Sequence, residues 1–287
     1  MIAFNSTSPR RKSWRRIIVD AAVYGCLVAA CIVVLAPIFW AASTSFKMSA
    51  EIHGTPHWIP NTVTFKNYLD SILDPKFLRY LGNSFIVFAG ALVVSVGFAV
   101  HAAYVLARRR FAGKETMLFL IWATIMIPGV SIIVPLYLLA VDIGIYDTYA
   151  VLIIVYSAWL IPSVIWLLRS FVGSVPFELE EAAQVDGCSP VKTFYVVVLP
   201  LLRPGLGAAA VLVFVTVWND FLIGFALTLG EERRMLQVGL HSFITEGGIN
   251  WGPMMAATIG SLVPAALVFG FLQRAFVQGL TAGAVKG

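Results

Sequence analysis

Residues 175–204 read VPFELEEAAQVDGCSPVKTFYVVVLPLLRP and form a polar stretch inside an otherwise apolar chain. The first half of the stretch has the signals of a short helix. Ser174 is a candidate N-cap, and Pro176 suits the first turn, where its missing N–H costs nothing. Three glutamates follow on the side where the helix dipole favours negative charge. Gly187 suits a left-handed residue that ends the helix.

The second half of the stretch predicts another short helix. Ser189-Pro190 suits an N-cap and a first helical position, and Pro200 and Pro204 are expected to close the unit. A helix of about ten residues is marginal alone in water, so the first helix must dock on something. The small Ala182-Ala183 pair would let a partner surface approach the backbone closely. A membrane-surface helix that only links two spans is the alternative interpretation.

The composition is that of an integral membrane protein. Of the 287 residues, 59% are hydrophobic and only 12% are charged, and the mean hydropathy is +0.87. A soluble domain has about 25% charged residues. In a membrane protein a net charge of +5 mostly sets topology and does not by itself indicate nucleic-acid binding. The three cysteines give no disulfide framework.

Six apolar segments have roughly the 20 residues that a helix needs to cross a membrane. We expect them at about 17–44, 82–107, 115–140, 149–168, 202–227 and 253–277. The predicted fold is therefore all-α, a polytopic membrane protein with six transmembrane helices. The predicted divisions are a basic tail at 1–16, a six-span domain at 17–277 with a polar loop at 171–201, and a tail at 278–287.

Lysine and arginine indicate which loops face the cytoplasm. The first, third and fifth loops hold six basic residues: Lys47, Lys66, Lys76, Arg79, Arg233 and Arg234. This leaves 14 of the 20 in the two tails, the second and fourth loops and the span ends beside them. Both termini and the 171–201 loop are therefore expected in the cytoplasm.

Prolines interrupt two of the predicted spans. Pro128-Gly129 and Pro135 lie in the third span and Pro162 in the fourth, where each proline breaks the backbone hydrogen-bond ladder. In lipid, the freed carbonyls need protein or water partners, and broken spans often line a transport path. Simple kinks are the alternative, so both interpretations stay open.

Asp220 is the one carboxylate well inside a predicted span. Beside it, Asn219 and Trp218 suit hydrogen bonding to a sugar and stacking on it. Trp218 equally suits the interfacial aromatic belt, and Asp220 suits a helix cap or a contact with a neighbouring helix. His101, late in the second span, has no partners at metal-ligand spacing. We therefore expect a packed, hydrogen-bonded histidine and no metal site.

Part of the polar stretch resembles the EAA loop of bacterial ABC-importer permeases. Glu181-Ala182-Ala183 is followed by Gly187, then by Val197 and by Leu199-Pro200 at the spacing of that loop. One position departs mildly, since Val197 stands where isoleucine is commoner. In that family the loop is the coupling helix, which sits in a cleft of the cytoplasmic ATPase. The residues that the resemblance implies for ATPase coupling are Glu178, Glu181, Ala182, Ala183, Asp186, Gly187, Leu199 and Pro200.

The resemblance extends along nearly the whole chain, and the chain is similar to the carbohydrate-uptake branch of these permeases. Within that branch, the chain looks most like the second permease subunit of the maltose type. The segments that carry the likeness are Asn83-Ser84, Ala103-Tyr104, Ala107-Arg108, Pro135-Leu136-Tyr137, Asp147-Thr148-Tyr149, Trp218-Asn219-Asp220-Phe221 and 279–287.

The resemblance implies an assembly of two permease subunits, two ATPase subunits and an external solute-binding protein. This chain would be one permease of a heterodimer in the bacterial inner membrane, with a sugar-like solute and neither a cofactor nor nucleic acid. The loop at 246–251 would touch the binding protein, and the tail at 283–287 the ATPase. The residues themselves suggest a candidate solute path of Tyr137, Trp218, Asn219 and Asp220, whereas the resemblance implies that the other permease holds most of the substrate.

Three other hypotheses remain open. The solute of such a permease would equally fit a polyol or glycerol phosphate, and a membrane adaptor would recruit an ATPase without passing solute. A membrane-embedded enzyme would need ionisable groups at one depth, but away from their ends the spans offer only Asp220 and His101, near opposite faces. The sequence has no phosphate-binding loop, so we assign ATP hydrolysis to a partner subunit.

Overall fold

The computed structural model describes residues 14–284, with side chains described at Trp14 and from 18 to 273. Most of the predicted N-terminal tail and the last three residues of the C-terminal tail therefore lie outside the described residues. The helices are α1 Trp14–Ser45, α2 Ser49–Ile52, α3 Lys66–Leu69, α4 Pro75–Arg108, α5 Lys114–Ile125, α6 Gly129–Asp142, α7 Tyr149–Ser174, α8 Glu178–Val185, α9 Pro190–Thr193, α10 Leu199–Leu201, α11 Arg203–Asn219, α12 Leu222–Leu227, α13 Leu236–His241 and α14 Trp251–Ala284. A π-helical turn, Phe194–Val198, joins α9 to α10, and β1 Ile244–Thr245 pairs antiparallel with β2 Gly248–Ile249.

Between residues 14 and 284, four helices are long and apolar enough to cross a membrane: α1, α4, α7 and α14. Two bent pairs raise the number to six if each pair is one span. The pair α5–α6 bends by 90°, and the helical stretch Pro190–Leu201 meets α11 at 70°. The prediction of an all-α, polytopic membrane protein is confirmed.

The core of the bundle lies where α4, α7 and α11 pack together. Glycines allow the close approaches. A Cβ at Gly90 on α4 would lie 2.4 Å from Ile153 of α7, and one at Gly205 on α11 would lie 2.7 Å from the ring of Phe171. Since such contacts are shorter than van der Waals distances, a larger residue at either position would force the neighbouring side chain to shift. Helix α14 packs against α11 and α1 and completes the described bundle.

The predicted break in the third span is present. Helix α5 ends at Ile125, and α6 begins at Gly129, directly after Pro128. Helix α4 extends beyond the second predicted span at its N-terminal end. Helix α4 starts at Pro75, because the carboxylate of Asp74 accepts a hydrogen bond from the backbone N–H of Lys76 at 2.8 Å and caps the helix.

The fifth span begins where it was predicted, since α11 starts at Arg203, but it is not continuous to residue 227. The unit ends near Pro200 and Pro204 as predicted, because the chain bends by 70° between Leu201 and α11, but neither proline ends a helix. Each occupies the first turn of a helix, α10 or α11, where no N–H is needed, so the chain stays largely helical from Pro190 to Asn219. The span then breaks at Asp220-Phe221, before α12 begins.

Candidate functional site

The polar stretch forms two short helices, α8 and α9, joined by a tight turn. Gly187 has a φ of +88°, in the left-handed region as predicted. Around it, Cys188 N donates to Ala183 O at 2.9 Å and closes the end of α8. Ser189 caps α9, since its hydroxyl oxygen accepts a hydrogen bond from Lys192 N at 3.3 Å. The chain therefore turns sharply between α8 and α9.

The predicted start of α8 is wrong. Ser174 is the last residue of α7, and its hydroxyl donates back to Phe171 O at 2.7 Å. Pro176 lies between the two helices, and α8 begins at Glu178 without a side-chain cap. A serine hydroxyl satisfies a carbonyl of the preceding turn as readily as an N–H of the following one, so the N-cap signal pointed to the wrong helix.

Most of the predicted coupling residues lie on one exposed surface, which we call the α8 face. Glu178, Glu181, Ala182, Asp186 and Gly187 are exposed, and Ala183 is half-buried. Large apolar side chains lie exposed beside them: Phe177, Leu179, Val185 and Val191. Val185 is 87% exposed. The α8 face therefore combines carboxylates with apolar side chains.

Leu199 and Pro200 do not belong to the α8 face in the same way. Leu199 is half-buried and packs against the main core of the bundle. Pro200 is exposed and occupies the first turn of α10. Their place in the fold is to shape the helical stretch that leads from α9 into α11.

Glu180 was missed as a site residue by the sequence reasoning. Its side chain is 1% exposed, and Oε1 pairs with Arg108 Nε at 2.7 Å. Tyr104 donates its hydroxyl to Oε2 at 2.7 Å, and Arg108 also donates from Nη2 to Val175 O at 2.6 Å. These contacts fasten α8 to the end of α4. Arg108 lies 72 positions away in the chain, so no local signal distinguishes Glu180 from its neighbours.

The predicted solute-path residues do not form one cluster. Trp218 and Asn219 line a cavity of about 410 Å³ between α11, α13 and α14. Trp218 is 5% exposed and packs against Phe85 and Phe214. Tyr137 lies on α6 and packs edge-on against Tyr146 at a centroid distance of 5.1 Å, outside the cavity lining.

Asp220 has the capping role that the sequence left open. Its Oδ1 accepts hydrogen bonds from Ile223 N at 2.9 Å and Gly224 N at 3.4 Å, at the start of α12. The hydroxyl of Tyr156, on α7, donates to the same oxygen at 2.7 Å. The carboxylate therefore satisfies the backbone groups freed by the helix break and ties that break to the fourth span.

His101 is hydrogen-bonded, as predicted. Its ring nitrogens lie 2.7 Å from Gly97 O and 2.8 Å from the hydroxyl of Tyr195. Tyr195 lies in the π-helical turn, so this contact also joins α4 to the polar stretch. The histidine side chain is exposed in the isolated chain, which differs from the packed environment we expected.

At the opposite end of the bundle, the loop at 228–235 is held by several of the same motif residues. Asn83 donates through Nδ2 to Glu232 O and Arg234 O at 2.8 and 2.9 Å. Tyr149 donates to Asn83 Oδ1 at 2.7 Å. Asp147 accepts from Leu229 N at 3.1 Å. This loop is therefore clamped to the ends of α4 and α7.

Comparison with known proteins places the chain in a family. Residues 95–282 match the binding-protein-dependent transport system inner membrane component family. The chain is 36% identical to the diacetylchitobiose uptake system permease protein DasC of Streptomyces coelicolor, over 88% of this chain and 91% of that protein. It is 33% identical to the trehalose/maltose transport system permease protein MalG of Thermococcus litoralis, over 89% and 93% of the two chains.

A solved structure has the same fold. A crystal structure of a bacterial ABC transporter involved in the import of alginate matches with a TM-score of 0.79, at 24% identity, over 94% of this chain and all of that one. The chain therefore belongs to the family of inner membrane components of binding-protein-dependent transport systems. The family that the EAA-like loop predicted is confirmed, and the protein is a multi-pass membrane permease.

Proposed function

We propose that the chain is one transmembrane subunit of an ATP-driven importer for a sugar or sugar-like solute. The relatives are named as permeases for diacetylchitobiose and for trehalose or maltose, which supports a saccharide as the solute class. The proposed cellular location is the bacterial inner membrane, in keeping with the family's description. Residues 17–277 form the permease domain, and the tails at 1–16 and 278–287 lie in the cytoplasm.

The proposed assembly contains a second permease subunit, two ATPase subunits and an external solute-binding protein. ATP hydrolysis takes place on the ATPase subunits, and this chain supplies half of the translocation pore. The exposed hairpin of β1 and β2, with the loop at 246–251, is the proposed contact for the binding protein. It carries Glu246 at its tip and is followed directly by α14.

The observation that carries the coupling proposal is the mixed surface of the α8 face. Its carboxylates suit basic groups on a partner, since complementary charge gives an interface its specificity. Its apolar side chains suit burial in a cleft, since exposed apolar patches mark interaction sites. Ala182 and Ala183 leave room for close backbone approach. ATP-driven movement of the partner then displaces α8 and shifts the pore between two states.

Trp218 and Asn219 are the proposed solute contacts, because an aromatic ring and an amide beside a cavity suit a sugar. Asp220 belongs to the proposed path indirectly, because its carboxylate stabilises the break in the backbone beside Trp218 and Asn219. Tyr137 is also assigned to the proposed path, because it lies on α6, the helix that follows the bend in the third span. The bend frees backbone groups that suit a water-filled path.

Uptake by the reconstituted importer tests this function. The chain is placed in vesicles with its partner permease, ATPase and binding protein, and labelled trehalose, maltose, diacetylchitobiose and glycerol phosphate are supplied in turn. ATP-dependent uptake of a saccharide is the expected result. Uptake of glycerol phosphate alone would show that the proposed solute class is wrong and that the proposed transport mechanism is right. ATPase recruitment with no uptake of any solute would support a membrane adaptor and contradict the proposal.

A further inference from the structure

The last turns of α4 carry three polar side chains on one face, and all three contact the polar stretch. His101, Tyr104 and Arg108 are spaced three and four residues apart, so they share one side of the helix. His101 is hydrogen-bonded to Tyr195, and both Tyr104 and Arg108 bond Glu180 of α8. The end of α4 is therefore built to hold the segment from α8 to the π-helical turn.

The contact between α4 and α8 is a largely buried ion pair in which both carboxylate oxygens of Glu180 accept a hydrogen bond. The side chain of Arg108 is 13% exposed and that of Glu180 is 1% exposed. Each carboxylate oxygen of Glu180 has its own donor, Arg108 Nε for one and the hydroxyl of Tyr104 for the other. The guanidinium also lies 5.6 Å from the ring of Phe177, just before α8. Arg108 thus contacts the polar stretch on both sides of Pro176.

Such a pair resists opening. Removing one partner leaves the other charge without a counter-charge in a site largely shielded from water. The resulting loss of stability is larger than the net stabilisation that the intact pair provides. Helix α8 has only eight residues, too few to hold its own place by local helix stability. Its position relative to the bundle therefore depends on side-chain contacts such as this one.

Helix α4 connects the two ends of the molecule. Its 34 residues span about 50 Å at 1.5 Å per residue. Near its first turns, Asn83 and Ser84 hold the loop at 228–236 through bonds to Glu232 O, Arg234 O and Leu236 N. Its last turn holds α8. Helix α4 therefore contacts both α8 and the loop at the far end.

We propose that Arg108 and Tyr104 are positioning residues that fasten Glu180, and with it α8, to α4, so that α8 and α4 move as one body. This inference rests on the proposed coupling role of α8 and names the element that receives its motion. Movement imposed on the α8 face passes through the buried pair into α4, and along α4 to the clamped loop at the opposite end.

The test uses the complete importer with its ATPase, partner permease and binding protein in vesicles. Glu180→Gln and Arg108→Met are compared singly and together. Each single change leaves one buried charge unpaired and keeps the shape of the side chain approximately. Arg110→Met and Glu115→Gln are the controls, because both side chains are exposed and lie in the same cytoplasmic region. The readout is the ratio of ATPase activity with loaded binding protein to the activity without it.

We expect each single variant to retain its ATPase in a pull-down and its basal ATP hydrolysis, while the stimulation ratio falls by about fivefold or more, the size of a typical coupling between sites. The double variant should lose no more than the worse single variant, because both changes remove the same contact. The two controls should keep the parental ratio.

Three results would overturn the inference: an unchanged ratio in both single variants, losses that multiply in the double variant, or loss of the ATPase from the purified complex. The last would reduce the pair to a structural support for the docking site. Glu181→Lys separates this failure from that of the proposed function. If Glu181→Lys abolishes stimulation while Glu180→Gln does not, coupling through α8 stands and the α4 connection fails. If neither has an effect, coupling through α8 itself is wrong.

Discussion

Two neighbouring glutamates in α8 have opposite surroundings. Glu180 is buried against Arg108 and Tyr104, whereas Glu181 is exposed on the α8 face. The sequence predicts that this helix is acidic and docks on a partner; the acidic helix is present, and docking on a partner stays a prediction. The sequence does not predict which carboxylate turns inward, because that choice depends on an arginine at the end of a different span. The EAA-like pattern identified the outward residue, and only the tertiary contact identified the inward one.

At the same scale, the surroundings of Asp220 predict a mild effect of Asp220→Asn. The amide oxygen of asparagine accepts the same hydrogen bonds from Ile223 N and the Tyr156 hydroxyl, so the cap at α12 is retained. Glu181→Lys instead reverses a charge on the α8 face. We expect uptake to fall much less in Asp220→Asn than in Glu181→Lys, with both proteins at parental levels in the membrane.

Uptake rates of the two variants, measured in one assay, check this ranking. Asp220→Ala is the companion variant, since it removes the acceptor and should reduce uptake more than Asp220→Asn does. The reverse order of Asp220→Asn and Glu181→Lys would move the critical chemistry from α8 to the break in the fifth span.

At the scale of elements, the breaks in the helices differ in how well the sequence predicts them. Pro128 removes a backbone hydrogen-bond donor, so the bend between α5 and α6 can be predicted from the local sequence. The break at Asp220-Phe221 has no such residue, and it is stabilised by a hydrogen bond from Tyr156 on another helix. At Pro200 and Pro204 the sequence predicts the end of the unit but not that each proline begins a helix, since a helix start and a helix stop look alike in sequence.

The turn between α8 and α9 predicts that alanine costs stability at Gly187 but not at Gly173. Gly187 has a φ of +88°, whereas Gly173 lies inside α7. An added Cβ would meet no atom within 4 Å at either position. Gly187→Ala should cost about 1 kcal/mol because of the left-handed backbone, and Gly173→Ala should cost nothing or stabilise its helix. Faster hydrogen exchange across residues 178–190 in Gly187→Ala alone is the expected result, and equal exchange in both variants would contradict it.

A close helix contact at the opposite end predicts a loss of stability. A Cβ at Gly239, on α13, would lie 2.1 Å from the ring of Tyr80, which is itself buried. Gly239→Ala should therefore destabilise the protein by about 1–3 kcal/mol through overpacking. Gly82→Ala is the matched control, since nothing lies within 4 Å of its added Cβ. The unfolding temperature in detergent should fall only for Gly239→Ala; an equal fall in both would argue against the packing of α13 on α4.

At the scale of the whole molecule, composition and apolar segments predict the membrane class and the all-α fold. They do not predict how much of each loop is helical, since α4 begins about two turns before the predicted span, after the Asp74 cap. The site is predicted less completely. The α8 face follows from the sequence pattern, whereas the networks at the two ends of α4 join residues that are far apart in the chain and become visible only in the fold.

The distribution of basic residues predicts the orientation of the whole molecule. After Cys26, Cys31 and Cys188 are replaced by alanine, a single cysteine is introduced at Thr62 or at Gln184, both of which are exposed. A membrane-impermeant maleimide added outside intact cells should label Thr62→Cys and leave Gln184→Cys unlabelled until the membrane is opened. The opposite pattern would place α8 outside the cell, where no cytoplasmic ATPase could reach it.

The central claim is that α8 links this permease to an ATPase, and a pull-down in mild detergent tests it most directly. The chain and its Glu181→Lys variant are purified from membranes, and their bound partners are identified by mass spectrometry. We predict that the parental chain brings down an ATPase and a second permease, and that Glu181→Lys loses the ATPase and keeps the second permease. Recovery of the chain alone, or full retention of the ATPase by the variant together with parental uptake, would contradict the account.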